Sequence, residues 1–546
     1  MKYLLTGNEM AAADRITSEK IGIPSIVLME RAALAAADEI TKRFAGIKRV
    51  TIVSGPGNNG ADGLAVGRIL IDRGCRVQFF VLSEKDPPAG SSMEVQRNIL
   101  RAYGAVPEVF DEERLKRFAP EIIVDALFGT GLARELSGTS KQVVCAVNEY
   151  RMQNGCKAVA VDIPSGISSE TGAVMGCAMT CDLTVTFAYY KRGHFLYPGC
   201  SYCGETVLRQ IGIHDRSFAA EERPLPEMFM NEYADIAGRI AYRDPGGHKG
   251  TFGKILIIAG SYAMCGAALL CARAALKSGA GMVKIFTREE NRVIIQQAFP
   301  EAMLTTYEAL PEDGELRKAA QKKIVQALKA DIQWADAVAA GPGIGRGSEA
   351  ALLVNTVLEA AGNDNTGLME SGNAISMLVL DADALFMIAS DAAMERQLAD
   401  HAEKTAVVLT PHLAEFAYLA HVSAYSAAAD RIQLMRDIAD KYRCTIIGKD
   451  ARTLIMSHGV REICMITNGN SGMATAGSGD VLAGITGAML AAVPDKKGRG
   501  RKAADAAAFI HAQAGKLCME RMGVRAMIAG DILRAAGEVF QEIEDR

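Results

Sequence analysis

The chain has 546 residues, 49% of them hydrophobic and 23% charged, with a formal net charge of −4 and a pI near 6.1. Those values exclude a disordered chain and argue against nucleic acid or an anionic membrane surface as a partner. At about 100–200 residues per domain, the length predicts two to four domains.

The N-terminus, Met1-Lys2-Tyr3-Leu4-Leu5-Thr6, turns polar too early for a signal-peptide core, and no apolar run reaches the roughly 20 residues of a membrane span, so a cytoplasmic protein is expected. Cysteines are scattered in apolar surroundings, which predicts reduced, buried thiols. Cys200-Ser201-Tyr202-Cys203 has a metal-like spacing, but its companions Cys177 and Cys181 are set looser than a zinc pattern requires, and incidental thiols are expected.

In chain order, Asn8 to Lys42 is helical in period and broken at Gly22-Ile23-Pro24-Ser25. Short apolar strands then alternate with helices: Val50–Ser54, Val77–Leu82, Ile122–Asp125, Ala158–Asp162 and Leu183–Phe187, with a helix over Ala61–Asp72. That rhythm predicts a parallel sheet covered on both faces. It stops in the charged, proline-containing stretch around Glu221-Glu222-Arg223-Pro224, read as a linker over 216–234. It restarts with strands Lys254–Ala259, Met282–Thr287, Ala337–Ala340, Leu378–Asp381, Val407–Thr410, Thr445–Lys449 and Ile463–Thr467, and a long helical region from Asp480. The expectation is α/β: two three-layer α/β/α domains over 1–215 and 235–546.

In the first unit, strand Val50–Ser54 runs into Gly55-Pro56-Gly57-Asn58-Asn59-Gly60-Ala61-Asp62-Gly63. Glycines permit close backbone approach, and Asn58, Asn59 and Asp62 can bond hydroxyls or amides. The spacing is not the dinucleotide fingerprint; a plain tight βα turn is the other reading. Ile122–Asp125 runs into Phe128-Gly129-Thr130-Gly131, and Ala160-Val161-Asp162 into Ile163-Pro164-Ser165-Gly166. The Asn59 carbonyl, the Asp125 carboxylate and a Ser165 oxygen make a hard-oxygen site with one formal negative charge, which suits a monovalent cation. Asp162 is left as an acid/base candidate.

The second unit carries Gly260-Ser261 after its first strand, Gly341-Pro342-Gly343-Ile344-Gly345 after Ala337–Ala340, Asp381 after Leu378–Leu380, and Pro411-His412-Leu413-Ala414-Glu415 after Val407–Thr410. All would face one crevice at the carboxyl ends of parallel strands. The loop Thr475-Ala476-Gly477-Ser478-Gly479-Asp480 opens a helix and makes an anion site of its backbone N–H groups. Asp480 either caps its own helix or takes a hydroxyl proton during phosphoryl transfer.

These motifs closely resemble known families. The first unit resembles the N-terminal NAD(P)H-hydrate epimerases, through the motifs above together with Leu28-Met29-Glu30 and Ala188-Tyr189-Tyr190-Lys191-Arg192-Gly193. The resemblance implies that Asn58, Asn59, Gly60, Ala61 and Asp62 contact the hydrated cofactor. It implies the same for Gly129, Thr130, Gly131, Leu132, Ala133, Arg134 and Glu135, and for Asp162. Asn59, Asp125 and Ser165 would hold potassium, and Asp162 with Lys191 would shuttle the proton. Ala61 stands where the family has glycine, placing a methyl group near the ligand.

The second unit is similar to the ribokinase-like superfamily, and specifically to the ADP/ATP-dependent NAD(P)H-hydrate dehydratases. The resemblance implies that Ala267, Gly343 or Gly345, His412 and Asp480 contact the hydrated cofactor. It implies that Lys449, Asp450, Ala451, Arg452, Thr453 and Gly479 contact ADP or ATP, with magnesium bridging the phosphates. Gly448, Ser471, Ala476 and Ser478 depart from the family pattern. Together the two resemblances imply a bifunctional repair enzyme acting on small molecules; a homo-oligomer is expected. The alternative is a ribokinase-like small-molecule kinase with a non-catalytic N-terminal binding module.

Overall fold

Helix Gly7–Ile16 opens with a capping box, Thr6 Oγ1 accepting from the Glu9 N–H and Glu9 bonding the Thr6 N–H in return, just after strand β1 (Lys2–Leu5). A π-helical turn over Thr17–Ile21 ends at Gly22, whose φ of 88° admits glycine readily. Helix Ser25–Arg43 follows, so the predicted break is where the helices part. The structure is a computed structural model and describes residues 1–219, 224–240, 242–360, 377–424, 431–493 and 498–545; Glu221–Arg223 of the expected linker lie outside them.

The first compact unit spans Lys2–Phe229. Its strands are β2 (Arg49–Ser54), β3 (Arg76–Val81), β4 (Glu108–Val109), β5 (Ile122–Ala126), β6 (Lys157–Val161), β7 (Leu183–Phe187), β8 (Tyr190–Lys191) and β9 (Glu205–Arg209). The sheet runs β4-β3-β2-β5-β6-β7-β9, parallel throughout, and β8 pairs with β1. Side chains alternate between its faces. Val50, Ile52 and Val124 join a core with helices Ser25–Arg43 and Asn58–Asp72, while Val53, Ile123 and Ala158 join another with Val143, Val144 and Val147 of helix Gly138–Asn154. Gly63 lets the Asn58–Asp72 helix lie on the sheet, because a Cβ there would stand 2.3 Å from that of Ala126.

The stretch expected as a linker, 216–234, opens in regular structure. Arg216–Ala219 is helical, Phe218 is buried against Tyr189 with ring centroids 6.0 Å apart, and Ser217 Oγ lies 2.7 Å from Thr17 Oγ1. Those contacts tie the segment to the first unit. The division falls between Phe229 and Met230, inside strand β10 (Met228–Met230).

The second unit, Met230–Arg546, carries β11 (Lys254–Ile258), β12 (Met282–Arg288), β13 (Met303–Tyr307), β14 (Ala337–Ala340), β15 (Met377–Leu380), β16 (Val407–Leu409), β17 (Thr445–Gly448), β18 (Thr453–Ser457) and β19 (Val460–Ile466). Their order is β13-β12-β11-β14-β15-β16-β17-β18-β19, parallel from β13 to β17 and antiparallel across β18 and β19. Ile255–Ile258 and Ala337–Ala339 are fully buried, as strands covered on both faces must be. Helices Cys265–Lys277 and Ser478–Ala492 pack on each other and on this sheet.

Both sheets reverse direction once. In the first, the chain moves outward from β2 to β4 and returns at β5; in the second, it moves from β11 to β13 and returns at β14. Loops leaving the two strands at such a point diverge, and the crevice between them takes ligands. Among the described residues, no helix is long and apolar enough to cross a membrane.

Candidate functional sites

In the first unit, the loops after β2 and β5 open a cavity of about 680 Å³. Asn58, Asn59 and Asp62 line it from one side, and Gly129 to Arg134 from another; Asp162, Phe187 and Lys191 complete the wall with Met10, Asp14, Ser25 and Leu28. Three expected contacts are not among the lining residues: Gly60, Ala61 and Glu135. Ala61 is fully buried in the core, so its methyl group faces packing and not the ligand. Gly60 is pressed inward, where a Cβ would lie 1.9 Å from the Gly55 carbonyl oxygen.

Asp162 ends β6 with φ of 69°, a conformation that side-chain-bearing residues rarely adopt. Its backbone is pinned at both ends: the N–H donates to Val185 O at 2.8 Å, and His194 Nε2 donates to its carbonyl at 2.9 Å. His194 Nδ1 accepts from the Lys191 N–H at 3.1 Å, which leaves the imidazole neutral, and burial lowers its pKa to about 4. Lys191 Nζ donates to Asp162 Oδ1, to Thr186 Oγ1 at 2.8 Å and to Phe187 O at 3.3 Å. Burial works to raise the Asp162 carboxyl, but the Lys191 charge and hydrogen bond, with His194 and Thr186, outweigh it and hold it below its ordinary value. Burial, opposed by Asp162, lowers Lys191.

Asp125 and Ser165 meet as expected. Ser165 Oγ donates to Asp125 Oδ1 at 2.6 Å, the Ser165 N–H donates to Oδ2 at 2.7 Å, and the Phe128 N–H donates to Ser165 Oγ at 2.9 Å. Burial raises Asp125 to about 6 against those bonds. Asn59 packs against Gly129, one residue beyond Phe128, and its buried amide nitrogen has no hydrogen-bond partner among the described residues. An amide so placed can turn its oxygen to a cation, so the donor set fits a monovalent ion. Among the described residues no disulfide joins Cys177, Cys181, Cys200 and Cys203, and burial pushes Cys203 up to about 12.

In the second unit, Asp480 does not cap its helix. The cap is Gly477, with φ of 86° and no side-chain bond, and Asp480 sits in the first turn of Ser478–Ala492. Burial, then the Asp381 charge, raises its carboxyl to about 6, with Lys449 pulling the other way. Lys449 follows β17 and donates to Asp381 Oδ1 at 2.6 Å, with Glu415 Oε2 3.8 Å away. Gly479 adjoins this pair: a Cβ there would lie 3.2 Å from Lys449 Nζ. His412 caps helix Leu413–Ala420 by accepting the Ala414 N–H at Nδ1 (3.1 Å), while its Nε2 lies 3.1 Å from Glu415 Oε1. The ring stays half-exposed, open to a ligand. Gly343 stands against Ala267, and the Gly345 N–H donates to Asp383 Oδ2 at 2.9 Å.

The residues expected at the nucleotide divide. Lys449 and Gly479 join the acidic group around Asp480, whereas Asp450 pairs with Arg431 at 2.9 Å, Ala451 and Arg452 lie in the same turn, and Thr453 begins β18. Gly448 is explained by its surroundings, since a Cβ would lie 2.8 Å from Met435 Sδ. Ser478 keeps a hydroxyl in place, 3.2 Å from His511 Nε2. Sequence reading missed Asp14, His194 and Thr186; His194 and Thr186 reach Asp162 across 32 and 24 residues, a relationship no local motif flags.

A family model described as NAD(P)H-hydrate dehydratase matches residues 255–537, and one described as the YjeF-related protein N-terminus matches residues 25–193. The bifunctional NAD(P)H-hydrate repair enzyme Nnr of Thermofilum pendens is 32% identical over 99% of this chain and 98% of its own length. Nnr of Moorella thermoacetica is 32% identical over 100% of this chain and 97% of its own. Among solved structures, the ADP/ATP-dependent NAD(P)H-hydrate dehydratase from Bacillus subtilis, co-crystallised with ATP/Mg2+, aligns at 25% identity with a TM-score of 0.44, covering 57% of this chain and 98% of that one. With similarity spanning both units end to end, the chain belongs to the bifunctional NAD(P)H-hydrate repair enzymes.

Proposed function

We propose that the first unit interconverts the R and S epimers of hydrated NADH and NADPH, and that the second dehydrates the S epimer at the expense of ADP or ATP. The observation that carries this reading is that Asp162 lines the cavity of the first unit just after β6, and that Asp480 stands in the first turn of Ser478–Ala492, near Asp381 and Lys449, without capping that helix.

In the first unit, Asp162 is the base, ionised by its Lys191 partner. Lys191 is a positioning residue, since its three protons are already directed to three acceptors. Asn59, Asp125 and Ser165 would hold potassium, which would fix the loops around the sugar-phosphate part of the ligand.

In the second unit, the nucleotide supplies a phosphoryl group that turns a poor leaving group, hydroxide, into a good one, phosphate. Asp480 takes the hydroxyl proton, and the N–H groups of the Gly477–Gly479 loop stabilise charge on the moving group. His412 and the Gly343–Gly345 loop face the hydrated ring. Lys449 holds Asp381, and Asp383 is held by the Gly345 N–H, so magnesium would arrive on the nucleotide phosphates and not in a protein cage. The full-length family match favours this reading over a kinase with a non-catalytic N-terminal module. The test is incubation of hydrated NADH with nucleotide and magnesium: repair regenerates the absorbance of reduced nicotinamide, whereas a kinase leaves a stable phosphoester.

A further inference from the structure

Epimerisation at a carbon bearing a hydroxyl beside the ring nitrogen needs an acid as well as a base. In the first unit the base is accounted for, and the nearest cation is not the acid. Lys191 Nζ gives all three of its protons to Asp162, Thr186 and Phe187 O, and its side chain is only 1% exposed. Asp62 differs. It lines the same cavity from the helix that follows β2, while Asp162 lines it from the end of β6, two strands away in the sheet. Among the described residues, no hydrogen bond or ion pair engages its carboxyl.

We infer that Asp62 is the acid that works with Asp162 across the cavity. The inference rests on the epimerase reading of this unit. In one direction the Asp62 carboxyl gives its proton to the hydroxyl oxygen as the C–O bond breaks. The ring-nitrogen lone pair forms a C=N bond, and water departs. Water then adds to the other face: a C–O bond forms, the C=N pair returns to nitrogen, and the surplus proton passes to the Asp162 carboxylate. One proton leaves Asp62 and one arrives at Asp162, with no oxidant or reductant consumed. The enzyme so left is set for the reverse reaction, or is reset by exchange with solvent.

The surroundings suit that division of labour. The charged groups that line the cavity with Asp62 are Asp162 just after β6, Lys191 of β8, Asp14 from helix Gly7–Ile16, and Arg134 from the loop after β5; of these, Asp162 and Asp14 act on its carboxyl. Burial, then Asp162, then Asp14, hold the Asp62 carboxyl well above its ordinary value, while Lys191 helps hold Asp162 below its own, so of the two carboxyls Asp62 holds a proton the more tightly.

The test uses the full chain with Asp62→Asn and Asp62→Glu, purified epimers of hydrated NADH as the probe, chromatography for exchange rates across pH, and equilibrium binding. Asp62→Asn is expected to bind within about threefold of wild type, to exchange the epimers about 10²-fold more slowly or worse, and to lose the fall in rate at high pH; Asp62→Glu recovers part of the rate. Asp62→Asn exchanging at the wild-type rate, or slowed only in proportion to lost binding with an unchanged pH profile, overturns the inference. If Asp62→Asn does not fold, Asp62→Glu decides: a high-pH limb that moves supports the inference, and one that stays put overturns it. Wild type that fails to exchange the epimers removes the epimerase reading itself, whereas a wild-type-like variant removes only the role of Asp62.

Discussion

Lys449 Nζ lies 2.6 Å from Asp381 Oδ1 and 3.8 Å from Glu415 Oε2, so one ammonium serves two buried carboxylates beside Asp480. Removing it with Lys449→Met leaves Asp381 buried without its counter-charge, a loss of about 3–5 kcal/mol where a buried pair is broken from one side. Asp480 loses its one favourable neighbour and titrates higher. Denaturant unfolding should show the lost stability, and the pH profile of dehydration should move upward.

Asp480→Asn should bind nucleotide and lose dehydration by about 10²-fold or more, because an amide cannot take the hydroxyl proton. In the unliganded wild type the carboxyl titrates at about 6. A base works only when ionised, so kcat/KM should fall as pH drops through that value. Steady-state dehydration of the purified S epimer between pH 5 and 8 reads both effects.

How far these sites were legible in the sequence follows from range. Strand ends such as Val161-Asp162 and Leu380-Asp381 were readable because an apolar run stops at a polar or glycine residue, a local signal. The partnership of Lys449 with Asp381 was not, since it spans 68 residues and exists only because β15, β16 and β17 lie side by side. The inward turn of Gly60 and Ala61 likewise depends on a helix packing on a sheet. Strand β9 (Glu205–Arg209) escaped notice because its half-polar sequence lacks the continuous apolar run of its neighbours. Asp62 was visible as a polar residue behind β2, but that no described residue hydrogen-bonds its carboxyl appears only in three dimensions.

Lys191→Met should raise the pKa of Asp162, because burial then acts on the carboxyl without its main opposing charge. A raised base is protonated at higher pH, so the acid limb of epimer exchange should move toward neutrality while the rate at high pH is retained in part. Asp162→Asn should instead lose exchange at every pH, by about 10²-fold or more. Exchange rates measured by chromatography separate the two.

Ser165→Ala removes the hydroxyl that links the Asp125 carboxylate to the Phe128 N–H. With potassium held as proposed, wild-type epimer exchange should depend on added potassium, exchange by the variant should be weaker and insensitive to it, and thermal melts of the variant with and without potassium should converge. Replacing potassium with a bulky organic cation in wild type should mimic the variant.

The most direct test of two chemistries on one chain is to give the enzyme both epimers of hydrated NADH, with nucleotide and magnesium, and follow each by chromatography. Wild type should consume both epimers to NADH. Asp162→Asn should consume only the S epimer, leaving R to decline at its uncatalysed rate, and Asp480→Asn should equilibrate the epimers while forming no NADH. Rapid loss of both epimers in Asp162→Asn, or undiminished NADH formation in Asp480→Asn, would contradict the account.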